Sequence, residues 1–440
     1  MNITMIGTGY VGLTTGACLA ELGHHVTCVD LDPEKMERLD AGDIPIFEPG
    51  LEELVTRNTG AGRLSFTTDY AAAVPEADAV FLAVGTPSSP TGKADLSQVM
   101  AAVDTLAKLL EPEATVVVKS TVPVGTTAEV AARIADARPD LQFEIASNPE
   151  FLRQGAAVDD FMHPDRLVVG ASSEAAERTM RRVYQPLLIE GAPGIFTNVE
   201  TAELIKYASN AFLATKLSFI NEIADLCELA GARVEDVAEG MGLDIRIGPR
   251  FLSAGPGYGG SCLPKDTQAL LHTSQVFGAP SRIVAAAVDV NASRRRRMAD
   301  KVATAAGGSL AGETVAVLGL TYKANTDDLR ESPAVEIVRS LVGLGAKIRA
   351  YDPEGMANAQ RLLAGIEFAG DPYEAMDGAA VLVILTEWPE FATLEPARVS
   401  ATLARPVVVD TRNLYDPDDM TAAGLEYHSV GRPVARPTQV

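Results

Sequence analysis

The sequence predicts an α/β protein of two doubly wound, Rossmann-like domains joined by a central helical segment, and three observations carry that expectation. A short apolar strand, Ile3–Ile6, leads into Gly7-Thr8-Gly9-Tyr10-Val11-Gly12 and then an apolar helix to about Leu22, and the next strand, His25–Val29, ends at Asp30. The same succession of strands returns after residue 310. Between the two, from about Glu200 to Arg297, Ala, Leu and Glu recur with a helical period, notably over Glu200–Ala230 and Ser281–Ala299.

In the first domain, expected over 1–195, Gly7 and Gly9, the first two glycines of the motif completed by Gly12, permit a tight turn and close approach to a pyrophosphate, which would sit on the N-terminus of the helix opening at Tyr10 and Val11. Asp30 would accept hydrogen bonds from an adenine ribose and repel a 2′-phosphate, which favours NAD over NADP. Strand Ala79–Val84 ends at Gly85-Thr86-Pro87, and Thr115–Val118 ends at Lys119-Ser120-Thr121, small polar residues where an open parallel sheet places its ligands. Strand Phe143–Ala146 leads to Asn148-Pro149-Glu150, so Glu150 sits beyond a strand's carboxyl end, either as a general base or as a plain surface glutamate.

The central segment is expected over 196–300. Lys206 and Asn210 stand four apart on one helix face, a pair that can hold a negative oxygen or can simply be solvated. The segment also carries Gly257-Tyr258-Gly259-Gly260-Ser261-Cys262-Leu263-Pro264-Lys265-Asp266. Glycines admit close approach of backbone to ligand, a nearby cation favours the thiolate, and a carboxylate can take a proton, which together suit covalent catalysis by Cys262. Arg246 and Arg330 are candidate phosphate clamps or structural arginines. Arg294–Arg297 is expected to be a solvated helix turn or an intersubunit contact.

The third section, 301–440, echoes the first: Thr314–Leu318 then Gly319, Lys347–Tyr351 ending at Asp352, Ala379–Leu385, and Pro406–Val409 ending at Asp410-Thr411-Arg412. Its turn lacks the full glycine pattern and adds Lys323, which predicts a different phosphorylated ligand. The tail 431–440, rich in Pro and Arg, is expected to be disordered.

Composition narrows the function classes. A chain of 440 residues is long for one domain, and 47% hydrophobic with 22% charged residues is ordinary globular material. A net charge of −22 argues against binding nucleic acid or an anionic membrane, though a pocket can still be locally positive. Cys18, Cys28, Cys227 and Cys262 are scattered, without metal-ligand spacing, so no metal and a reduced cytoplasmic setting are expected. Neither a leader nor a membrane-length apolar run is visible.

Jointly, GTGYVG with Asp30, FEPGLEELV, GTP, STVPVGT, NPEFLR, ELIKYASNAFLATKLSFINE, DIRIGPRFL, GYGGSCLPKD, GLTYKANTDDLRESPA and DTRN resemble the nucleotide-sugar dehydrogenase family over nearly the whole chain. The resemblance implies oxidation of UDP-glucose at carbon 6 to UDP-glucuronate with two NAD. Cys262 would capture the aldehyde as a thiohemiacetal, later a thioester. Asp266 would assist deprotonation, Lys206 and Asn210 would hold the carbon-6 oxygen, Thr121 would position a water, and Glu150 would assist hydrolysis. Gly7, Gly9, Tyr10, Val11, Gly12, Asp30, Lys35, Thr86, Thr121 and Arg330 would contact NAD. Glu150, Phe151, Leu152, Lys206, Asn210, Phe251, Leu252, Tyr258, Gly259 and Lys323 would contact the UDP-sugar, with Arg246 reaching in from a second subunit of a homodimer or higher homo-oligomer.

One departure stands out: family members commonly carry glutamate where this chain has Gln154, and an amide cannot ionise near neutral pH. Relatives acting on GDP-mannose or UDP-N-acetylmannosamine share the cysteine, whereas Lys265 and DIRIGPRFL look more like the UDP-glucose branch. A hydroxyacid-type dehydrogenase would use a Lys/Asn pair without a thiol and yield one NADH. A protein that only binds NAD would be expected to have lost Cys262, Lys206 or Asp266, and all are present.

Overall fold

The structure, a computed structural model, describes residues 1–89 and 92–438. Two compact units make up the chain, one of residues 1–209 with 268–279 and the other of 210–267 with 280 onward.

The first unit is built on β1 (Asn2–Ile6), β2 (His25–Val29), β3 (Leu64–Thr67), β4 (Ala79–Leu82), β5 (Thr115–Val118), β6 (Glu144–Ser147), β7 (Leu167–Ala171) and β8 (Gly194–Thr197). They form one sheet in the order β3-β2-β1-β4-β5-β6-β7-β8. Among the described residues only β6 with β7 pairs antiparallel. Every residue of β4 and β5 is buried, as a parallel sheet covered on both faces requires. One face packs Met5, Phe81 and Val117 against the helix Tyr10–Glu21, and the other packs Val80, Leu82 and Val116 against Val99, Val103 and Ile134. Because β1 pairs with β2 on one side and β4 on the other, strand order reverses at β1. That reversal opens the crevice at the carboxyl ends where the glycine turn and Thr86 lie.

The second unit takes the long helix Val199–Ala230 from Asn210 onward, the helices Val234–Gly242 and Arg282–Ala305, and a six-stranded sheet. Its strands are β9 (Thr314–Leu318), β10 (Lys347–Tyr351), β11 (Glu367–Phe368), β12 (Val381–Ile384), β13 (Val407–Asp410) and β14 (Glu426–His428), all parallel. The order β11-β10-β9-β12-β13-β14 repeats that of the first six strands of the other sheet. The doubled α/β fold expected from the recurring strand succession is therefore present.

Two expectations are corrected. The tail is not disordered over 431–438. Gly431, at a φ of +68°, accepts from the Val234 amide and donates its own amide to the Glu228 carboxylate, Arg432 pairs with Glu235, and Ala435 bridges Tyr427. Composition suggested a solvated tail, but its arginines have acidic partners already fixed in the fold. Gln439 and Val440 lie outside the described residues. Nor is Arg294–Arg297 a solvated turn throughout: Arg294 is only 2% exposed, paired with Asp225 and bonded to the Gly255 carbonyl.

Candidate active site

The first unit carries the dinucleotide turn. Gly7 has a φ of +95°, and a Cβ on Gly12 would lie 1.9 Å from the Gly7 carbonyl oxygen, so both positions demand glycine. A Cβ on Gly9, the residue before the helix Tyr10–Glu21, would meet open space, the room a phosphate needs. Asp30 at the end of β2 accepts from the Thr8 amide (2.9 Å), the Thr8 hydroxyl (2.7 Å) and Lys35 Nζ (2.8 Å), all on Oδ2. Burial alone would raise its pKa, but the bonds from Lys35 and Thr8 outweigh it and hold the carboxyl at about 2. Among the described residues its Oδ1 meets only the Asp32 amide, at 3.4 Å, which leaves an acceptor for a ribose hydroxyl. Thr86, beyond the end of β4, donates to the Thr121 carbonyl beyond the end of β5 (2.9 Å). These residues fit a dinucleotide that has free adenine-ribose hydroxyls.

The same unit brings together Glu150, Phe151 and Lys206. Lys206 Nζ lies 3.0 Å from Glu150 Oε1, both side chains are under 10% exposed, and the ammonium also stands 5.3 Å from the Phe151 ring centre. Glu150 Oε2 accepts from the Leu152 amide at 2.6 Å. Desolvation pushes the Glu150 pKa up, yet Lys206 and, further off, Lys119 bring it below the ordinary value. Lys119, fully buried at the end of β5, bonds Asn148 Oδ1 (3.0 Å) and the Tyr184 hydroxyl (3.4 Å). Burial lowers its pKa to about 8, against the attraction of Glu150.

The second unit carries Asn210 and the cysteine loop. Cys262 is partly exposed and precedes the helix Leu263–Val276, and the Asp266 amide bonds its carbonyl at 2.8 Å. The thiol thus sits at a helix N-terminus, where the positive end of the dipole favours a thiolate. Asp266, one turn later and 1% exposed, accepts from Asn210 Nδ2 (2.6 Å) on one oxygen and Lys265 Nζ (2.7 Å) on the other. By contrast, Cys18 and Cys28 are buried and desolvation raises both to about 12, so neither competes as a nucleophile.

The loop's glycines answer to close neighbours. A Cβ on Gly259 would stand 2.3 Å from the Glu331 carbonyl oxygen, and one on Gly260 would strike the Tyr322 ring at 2.8 Å. Buried Tyr258 exchanges two backbone bonds with the Asn291 side chain, while Gly255 is held by Asn221 and Arg294. Phe251 adopts a left-handed φ of 62° before the buried Leu252. Lys323 lies over the Tyr322 ring and Arg330 pairs with Asp328 at 2.7 Å. Arg246 is exposed and bonded to Asp244.

Several participants left little trace in the sequence. Asn291, Asn221 and Arg294 frame the cysteine loop from distant positions, which no local spacing reveals. Arg412, after β13, donates to the Leu385 and Tyr322 carbonyls and pairs with Glu387 at 3.0 Å. Its position after a strand end was the available signal. Asp352, the counterpart of Asp30, is fully buried and accepts from the amides of Leu320, Thr321, Glu354 and Gly355, the Thr321 hydroxyl and the Trp388 indole. That carboxylate is occupied by its own fold, so the second sheet holds no equivalent ribose acceptor there. Among the described residues no group of three or more His, Cys, Asp or Glu is placed to hold a metal, and no helix is long and apolar enough to cross a membrane.

Three family models match the chain: the NAD binding domain of the UDP-glucose/GDP-mannose dehydrogenase family over residues 1–188, its central domain over 200–293, and its UDP binding domain over 316–417. A UDP-glucose 6-dehydrogenase of Rhizobium meliloti is 54% identical over 98% of this chain and all of its own length. One from Bacillus subtilis is 47% identical over 100% of this chain and 95% of its own. A UDP-glucose dehydrogenase structure from Pyrobaculum islandicum superimposes with a TM-score of 0.91 at 40% identity, covering 98% of this chain and 97% of that one. With the dinucleotide turn, the buried Lys206–Glu150 pair and the cysteine at a helix start, these matches establish that the chain is an NAD-dependent oxidoreductase and belongs to the UDP-glucose/GDP-mannose dehydrogenase family.

Proposed function

We propose that this chain oxidises UDP-glucose at carbon 6 to UDP-glucuronate in two steps, with Cys262 carrying the sugar between them. The observation that carries the proposal is Cys262 at a helix N-terminus, one turn before a buried Asp266 bonded to Asn210 and Lys265. A single alcohol oxidation needs no thiol; a four-electron oxidation needs the intermediate aldehyde kept. The names of the relatives at 54% and 47% identity support UDP-glucose as the substrate.

The glycine turn, Asp30 and Thr86 would hold NAD, which when bound would supply a hydride acceptor for each of the two oxidations, two NAD in all. In the first, the carbon-6 hydroxyl gives its proton toward Asp266, directly or through a water, while the amide of Asn210 and the ammonium of Lys206 hold the oxygen. The Cys262 thiolate then adds to the aldehyde carbon, and the oxygen takes a proton to complete the thiohemiacetal. Loss of that hydroxyl proton and of the second hydride leaves the thioester. Water adds to its carbonyl, the carbon–sulfur bond breaks, and the carboxylate leaves with Cys262 restored. Glu150, kept ionised by Lys206, suits the task of taking the water's proton, and Thr121 that of orienting the water.

The same reading makes the protein a cytoplasmic homo-oligomer of three functional sections, 1–195 for NAD, 196–300 for the cysteine loop and association, and 301–440 for the UDP moiety. Phe212, Phe219, Leu226 and Leu229 leave an exposed apolar stripe on one long helix, and Arg246, exposed and held by Asp244, would exchange that partner for the substrate of a second subunit.

NADH stoichiometry tests the proposal. With limiting UDP-glucose, two NADH per sugar are expected from the wild type, and Cys262→Ala should fall to one or fewer with no UDP-glucuronate. One NADH per sugar from the wild type, or two from the variant, would rule out the covalent route.

A further inference from the structure

Glu48 is a buried carboxylate with no role in the chemistry above. It lies in FEPGLEELV just before the helix Leu51–Gly60, is 6% exposed, and no lysine or arginine is paired with it among the described ion pairs. Burying an unpaired charge is costly unless hydrogen bonds replace its water. Here three donors do so. Oε1 accepts from the Ala157 amide at 2.7 Å, and Oε2 accepts from the Gly155 amide at 2.7 Å and from the Tyr10 hydroxyl.

The donors come from two places in the chain that do not otherwise belong together. Tyr10 opens the helix of the dinucleotide turn, directly after Gly9. Gly155 lies in the irregular segment 148–156, which contains Glu150 and Gln154, and Ala157 opens the helix Ala157–Met162 that follows it. That segment is tied at its start by Glu150 to Lys206 and to its own Leu152 amide. At its far end Glu48 grips two amides, and Gly155 has a φ of +81° that brings one of them round to the carboxylate. All of these residues belong to the first unit.

We propose that Glu48 is a positioning residue that couples the dinucleotide turn to the 150–157 segment, so that a dinucleotide seated at the turn also orders the segment bearing Glu150. A ligand at the helix N-terminus fixes Tyr10 and hence the side of the carboxylate it donates to. The two amides then have one acceptor geometry instead of several. In a reaction that seats the dinucleotide twice, the segment tightens with each arrival. This consequence rests on the two-step reading proposed above; the coupling itself does not.

The test measures hydrogen exchange of the 150–157 segment with and without NADH, and NADH affinity by fluorescence, in the absence of any sugar. It uses wild type, Glu48→Gln, Tyr10→Phe and the double variant. NADH should slow exchange at Gly155 and Ala157 in the wild type by about tenfold or more. In either single variant most of that slowing should vanish, with NADH binding about fivefold weaker, the loss of about one hydrogen bond. The double variant should be no worse than the worse single, because both act through one contact. The proposal is overturned if exchange is faster in the variants but slows on NADH by the wild-type ratio, as a merely structural role predicts. Losses that multiply in the double variant also overturn it. Tyr10→Phe removes only a hydroxyl and decides the matter if Glu48→Gln does not fold. Because no sugar is present, failure of the UDP-glucose reading leaves this result unaffected.

Discussion

The Lys206–Glu150 pair sits where neither charge can fall back on water, and Lys206, with the Leu152 amide and Lys119, keeps the Glu150 carboxyl below its ordinary pKa. Glu150→Gln keeps an acceptor for Lys206 but removes the anion. Hydrolysis should slow by about 100-fold, the scale of a lost general base, and a thioester-linked sugar should accumulate on Cys262. Intact-mass measurement during turnover checks this; full turnover without an adduct would remove Glu150 from hydrolysis. Lys119 offers a second prediction. Its folded pKa of about 8 lies below its ordinary value of 10.5, so between the two the unfolded chain binds more protons than the folded one. Stability therefore rises with pH through this window and is lost as pH falls through 8, where the buried ammonium charges. Thermal midpoints of wild type minus Lys119→Met should climb from pH 7.5 to 9.5, and a flat difference would contradict the assignment.

At the scale of elements, the cysteine loop is shaped by what it lies against more than by its own propensity. Gly259 faces the Glu331 carbonyl so closely that a methyl group must displace backbone. Gly259→Ala should cost about 1–3 kcal/mol, the range for overpacking. It should also lower kcat by moving Cys262, while NADH affinity, held in the other unit by the glycine turn, stays unchanged. Calorimetry and NADH fluorescence separate the two effects; wild-type kcat in this variant would show that the close fit does not aim the thiol. The strands legible in advance, such as β2, β5, β9 and β10, are apolar runs ended by clear turn residues. β3 and β14 have mixed polarity, and β7 enters the sheet antiparallel to β6, which departs from the all-parallel plan that the earlier strands follow.

At the scale of the whole molecule, a formal charge of −22 keeps like chains apart unless an apolar surface outweighs the repulsion. The proposed association would use the stripe Phe212, Phe219, Leu226 and Leu229, from 45% to 83% exposed. Under the proposed association, Phe219→Asp with Leu226→Asp should reduce the mass measured by light scattering to that of one chain and lower activity, because Arg246 would no longer reach a second subunit. An unchanged mass would place association elsewhere. The sequence by itself determined the doubled α/β plan, the dinucleotide turn with Asp30, and the glycine-rich cysteine loop, because each is a local pattern: a strand, a turn and a helix within about thirty residues, or glycines beside a cysteine. Only the tertiary structure decided that Asp352 is consumed by its own fold, that Arg294 is buried under the cysteine loop, that the tail docks, and that Glu48 joins Tyr10 to Gly155. Those outcomes depend on partners 30 to more than 200 positions apart, whose meeting is fixed by packing and by the need to satisfy every buried polar group.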